Sequence, residues 1–112
     1  MARYSHMAEV VGSLDQVRAY IPKLLQECQL DVLHSSRDYW VAGEKPGQVP
    51  YGQLVRVEVL LDQPQDNPNV VHITCIAKNE ELPLQNGNHC QRVFGHLTQE
   101  LGRLAEILPP PL

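Results

Sequence analysis

Six apolar side chains near the C-terminus, Cys90, Phe94, Leu97, Leu101, Leu104 and Leu108, recur at intervals of four, three, four, three and four residues. That rhythm follows the helical turn and predicts a helix over about 89–108, with one apolar stripe that must be covered. Asn88 stands ahead of it as a cap with Gln91 at the box position, and three prolines end it. A second helical rhythm, Leu14, Val17, Ile21, Leu24, Leu25 and Cys28, follows Ser13 and Gln16, which form a capping box. Pro22 falls inside this helix, deletes one backbone bond and predicts a kink or break near Tyr20 and Ile21.

Elsewhere the period shortens to two. Val55, Val57, Val59 and Leu61 alternate with Arg56 and Glu58, and Val71, Ile73 and Cys75 with His72 and Thr74, so 54–61 and 70–78 are half-buried antiparallel strands. Residues 3–11 read as a first strand ended by Gly12. Residues 30–35 and 38–43 read as a hairpin around Ser36 and Arg37, with one long bulged strand as the alternative because Ser-Arg lacks the turn chemistry of tight hairpins. Turn formers crowd 44–53, a surface loop.

Strands that alternate need cover on one face only, and two helices supply it. The expected fold is α+β, a single antiparallel sheet of four or five strands with both helices on one face, in the order β-α-β-β-β-β-α. Residues 1–108 form one domain and 109–112 a proline-rich tail. The order resembles the TATA-binding-protein-like arrangement, a curved antiparallel sheet with both helices on one face. That family reads DNA with its open sheet face, where this chain would present Arg56, Glu58, His72 and Thr74 without a basic rim. Segments 17–25 (Val-Arg-Ala-Tyr-Ile-Pro-Lys-Leu-Leu), 78–85 (Lys-Asn-Glu-Glu-Leu-Pro-Leu-Gln) and 88–94 (Asn-His-Cys-Gln-Arg-Val-Phe) are also similar to small uncharacterised cyanobacterial proteins. The resemblance implies a lineage and no functional residues.

Composition narrows the partners. The 112-residue chain is 43% apolar and carries a formal net charge of -4 with nine scattered basic residues. Nucleic-acid binding needs clustered cations to displace counterions, so it is not expected. No apolar run reaches the ~20 residues that span a bilayer, and no secretory signal opens the chain, which predicts a cytosolic protein without membrane insertion. Cys28, Cys75 and Cys90 make an odd set without a C-x-x-C pair, and read as small buried hydrophobes. Cys90 alone, in a first helical turn, could be a reactive thiol.

Candidate chemistry is sparse. His96 and Glu100 have the spacing of two metal ligands, but two are too few, and His89 lies ~10 Å away along the axis. His34 and Ser35 are neighbours on a strand and point to opposite faces, which excludes a nucleophile–base pair. Glu80 and Glu81 lack a facing carboxylate, and Gly43, Gly47 and Gly52 lack the context of a phosphate loop. No catalytic residue, metal ligand or cofactor is nominated. Candidate protein contacts are Leu82, Pro83 and Leu84 in a polar loop, together with Leu101, Leu104 and Leu108. A ~30 Å helix would overhang strands of ~17–20 Å and expose those last leucines, giving a weak two-fold dimer. The expected function is a non-enzymatic protein-interaction module, an assembly factor, adaptor or regulator. The alternative is a small-ligand binder or modest enzyme whose pocket, between sheet and helices, holds Trp40, Tyr20, Tyr39 and His6.

Overall fold

A computed structural model describes residues 1–82 and 88–107, with side chains as far as Leu104. The alternating segments pleat into five strands, β1 (Ala2–Val11), β2 (Leu30–Ser35), β3 (Tyr39–Glu44), β4 (Arg56–Asp62) and β5 (Val70–Asn79). All neighbours pair antiparallel in the order β1-β5-β4-β3-β2. Helix α1 (Leu14–Glu27) joins β1 to β2, and α2 (His89–Ile107) follows β5. The class and element order are those that the periodicity predicts.

Residues of one parity on each strand build the core. Val57, Val59, Ile73, Cys75 and Ala77 are fully buried beneath Val17, Ile21 and Leu25 of α1 and Cys90, Leu97 and Leu101 of α2. Helix α2 lies on β1 and β5, while α1 lies on β2, β4 and β5 and touches α2. Among the described residues no helix covers the opposite face of the sheet. That face carries Met7 and Leu60, both exposed, beside the Lys78–Glu58 ion pair at 3.1 Å and the Tyr39 hydroxyl, which donates to Glu58.

Three local expectations are decided by the structure, and two of them change. First, α1 runs unbroken through Pro22. Ser13 closes a full capping box with Gln16 at 2.9 and 3.1 Å, and Ile21, Leu24 and Leu25 are buried on either side of the exposed proline, so tertiary packing outweighs the lost bond. Second, β2 and β3 form a hairpin that also bulges, with a register shift between Val32 and His34. The extra residue, Leu33, covers Gly43, where a Cβ would sit 3.1 Å from Leu33 Cδ1. Arg18 of α1 clasps the turn by donating from Nη2 to Asp38 Oδ1 at 2.7 Å and from Nε to the Arg37 carbonyl at 2.9 Å.

Third, Leu101 and Leu104 are not an overhanging patch; they are 1% and 3% exposed. Strands β1 and β5 have ten residues each, ~33 Å at ~3.3 Å per residue, and reach under the ~28 Å of a 19-residue helix. The expectation of short strands and of a sheet-only cover was wrong for these two leucines, because α1 also packs against α2. Leu108, Pro83, Leu84 and the tail 109–112 lie outside the described residues.

Candidate functional site

Strands β3 and β5 end at the same edge of the sheet, and α2 begins there. Glu44, the last residue of β3, closes the β3–β4 ladder twice: its backbone N–H donates to the Val55 carbonyl at 3.1 Å, and its Oε1 accepts the Val55 N–H at 2.8 Å. At the end of β5 the buried Asn79 amide donates to the Gln53 carbonyl (3.0 Å) and to Glu81 Oε1 (2.5 Å), while its Oδ1 accepts the Glu81 N–H (3.0 Å). Glu81 is thereby aimed at the start of α2, where it accepts from the Cys90 N–H at 2.8 Å and the His89 N–H at 3.2 Å. Asn88 Oδ1 accepts from the Gln91 N–H at 2.8 Å. These bonds satisfy the orphan donors of a helix N-terminus. Partial burial opposes ionisation of Glu81, but the Asn79 amide and the two backbone N–H donors outweigh it and hold the carboxyl below the usual glutamate range.

So anchored, the first residue of α2 meets the last residue of β3. His89 Nε2 lies 2.8 and 2.9 Å from the two carboxylate oxygens of Glu44. Both side chains are largely enclosed, 15% and 16% exposed, which makes this the most enclosed ionisable pair among the described residues. The pair forms part of the wall of an open cleft of about 890 Å³. Pro22, Gln26 and Cys28 bound it on the α1 side, Leu30, Asp31 and Val32 along β2, Lys45, Gln48 and Val49 after β3, and Arg92, Val93 and His96 along α2. A loose Lys45–Asp31 pair at 3.8 Å stands at this rim. A cleft of this size falls within the roughly 300–1,000 Å³ of small-molecule sites, and its lining is mostly polar and charged, Gln26, Asp31, Lys45, Gln48, Arg92 and His96 among it, with aliphatic contact from Leu30, Val32, Val49 and Val93.

None of the aromatic residues expected in a pocket lines this cleft. Trp40 is buried in the core, Tyr39 lies on the sheet face opposite the helices, and His6 is exposed on the edge strand β1. Tyr20 borders a separate hollow of about 240 Å³ between the helices. His34 packs near the Tyr39 ring at 6.4 Å, far from any nucleophile arrangement with Ser35, whose cross-strand partner is Trp40. His96 and Glu100 approach to 3.8 Å, and among the described residues no three His, Cys, Asp or Glu side chains gather as a metal site would require. Leu82 is exposed. Burial first, then the carboxylates of Glu81 and Glu44, pushes the Cys90 thiol up to about 11, opposite to the helix-dipole effect that would have made it reactive. The sequence reading passed over Glu44 and His89, one as a loop residue and the other as a solvated helix position. The available signal was topological, since this element order brings the end of β3 and the start of α2 to one edge.

No protein-family model and no curated protein matches the chain. Solved structures match its fold. An uncharacterized protein from Bacillus thuringiensis is similar over 94% of this chain and 97% of its own, at 11% identity and a TM-score of 0.72. The protein XoxI from Bacillus cereus is similar over 95% and 94%, at 13% identity and a TM-score of 0.68. A START superfamily protein from Mycobacterium smegmatis matches over 95% and 98%, at 12% identity and 0.56. The di-domain ARO/CYC BexL from the BE-7585A biosynthetic pathway matches 95% of this chain over 46% of its own length, at 9% identity and 0.58. At these identities the likeness is one of fold alone.

Proposed function

We propose that the protein binds a small organic molecule in the cleft between α1, the β2–β3 hairpin and α2, and does so in the cytosol. The observation that carries this reading is the Glu44–His89 pair in the cleft wall. An enclosed carboxylate–imidazole pair loses hydration that its mutual attraction rarely repays in full, so the attraction itself adds little to the fold beyond the bond that Glu44 accepts from the Val55 N–H. Its position in the wall of a cleft of about 890 Å³ gives it a use beyond stability. A neighbour of the same fold that serves a biosynthetic pathway agrees with a small-molecule role. Anilinonaphthalene sulfonate, whose fluorescence rises in apolar surroundings, is expected to bind saturably; Val93→Trp, which fills the cleft from α2, should abolish the signal while leaving Tm within a few degrees. Unchanged binding in that variant would place the probe elsewhere and remove the reading.

A second reading, a protein-interaction module, rests on Leu82, which is 66% exposed directly after the anchored Glu81. A leucine held out on a fixed stem is what a partner's apolar groove would accept.

A further inference from the structure

We infer that the cleft takes a ligand bearing a weakly acidic hydroxyl, a phenol or enol on a hydrocarbon body, and that His89 Nδ1 holds that hydroxyl. This rests on the cleft reading and names its ligand class. His89 Nε2 is committed to both oxygens of Glu44. Nδ1 has no hydrogen-bond partner among the described residues and, since no fully buried side-chain nitrogen or oxygen there lacks one, it is not fully buried, on a residue that lines the cleft. A carboxylate on one nitrogen fixes the tautomer, leaves the other nitrogen as an acceptor and steadies the imidazolium when that nitrogen gains a proton.

The proton count is closed. With the ring neutral, Nε2–H donates to Glu44 and Nδ1 accepts the ligand O–H. If the O–H bond breaks, its proton forms the Nδ1–H bond and its electron pair stays on the ligand oxygen, giving an oxyanion beside an imidazolium already paired with Glu44. Such sharing is most effective when the hydroxyl's acidity is close to that of imidazolium, which phenols and enols approach and alcohols do not. The rest of the cleft offers both kinds of contact: Val93 of α2, Val49 and the β2 residues Leu30 and Val32 are aliphatic, while Lys45, Arg92 and His96 are cations or potential cations that would favour the ligand oxygen as its charge develops, and Asp31 opposes it.

The test uses para-nitrophenol, whose phenolate absorbs in the visible, with nitrobenzene and para-nitrobenzoate as controls, all on the full chain. Wild-type protein is expected to bind para-nitrophenol with a rise in the phenolate band and to bind nitrobenzene about tenfold more weakly, the worth of one polarised hydrogen bond. His89→Gln should bring the two probes to equal affinity, and Glu44→Gln should keep para-nitrophenol bound but diminish the band. Nitrobenzene binding reports an intact cleft in each variant. Equal affinity for para-nitrophenol and nitrobenzene in the wild type overturns the hydroxyl inference and leaves the cleft reading standing. Tighter, His89-dependent binding of para-nitrobenzoate overturns it in favour of carboxylates. Failure of every probe to bind overturns both.

Discussion

Each of the three cysteines sits where the sequence pattern puts a small apolar side chain. Burial raises Cys28 and Cys90 to about 11 and Cys75 to about 12, with weaker contributions from Glu100 and Glu27 at Cys28 and from Cys28 at Cys75. At neutral pH hardly any thiolate exists, and Cys75 and Cys90 are fully buried while Cys28, at the cleft margin, is 8% exposed. Iodoacetamide should therefore modify none of the three in the native protein and all three in denaturant; rapid native labelling of Cys90 would restore it as a reactive thiol. Burial was legible here because the helical and strand periods assign each residue to a face. Glu44 and His89 were not legible in that way. They lie 45 positions apart and make contact only after the strands have paired, so no window of local periodicity contains both. Leu33 and Gly43 show the same limit, since a bulge is chosen by cross-strand fit.

At the scale of elements, polar clasps tie helices and strands together, and they depend on charge. Glu58 is held below the usual glutamate range first by the Tyr39 hydroxyl and then by Lys78, which link β3, β4 and β5 across the sheet face opposite the helices. Glu81, also lowered, links β5 to α2. For a carboxylate whose folded pKa is depressed, the stabilisation is complete above the ordinary glutamate value and is lost as pH falls through the lower folded value. Tyr39 has the opposite sign: the bond to Glu58 raises its pKa, so its contribution is complete below the ordinary tyrosine value and is lost as pH rises through the folded one. Stability should hence form a plateau between these limits. Melting followed by circular dichroism should show Tm falling on the acid side of the glutamate range, and Glu58→Gln with Glu81→Gln should flatten that fall while lowering the plateau. A parallel, undiminished acid loss in the double variant would mean that other carboxylates drive it. The elements themselves were readable because each carries its own period and caps, Ser13 with Gln16 and Asn88 ahead of α2; the clasps were not, because every one of them crosses between elements.

For the whole molecule, the decisive question is whether the apolar stripe of α2 is core or interface. Sequence spacing alone permits both, because it establishes that a stripe exists and not how far the neighbouring surface extends. The ten-residue strands β1 and β5 and the flank of α1 decide it within one chain: Leu97, Leu101 and Leu104 are 0, 1 and 3% exposed without any second copy. A glutamate placed at position 104 would then have to replace a leucine that is 3% exposed, beside Glu27 and Glu100 as well as Lys23 and Arg103 at the rim of the same hollow, at a cost of several kcal/mol. Total stability for a domain of this size is roughly 5–15 kcal/mol, and each lost kcal/mol lowers Tm by about 4–8 °C. Leu104→Glu should accordingly lower Tm by at least ~10 °C or leave the chain unfolded, while Leu82→Glu, at an exposed site, should shift it by only a few degrees. Sedimentation of the Leu104→Glu protein closes the argument. A folded, cooperatively melting variant with half the mass of the wild type would mean that Leu104 is buried between copies; loss of cooperative melting, with the wild type unchanged in mass from low to high concentration, places the stripe inside the monomer.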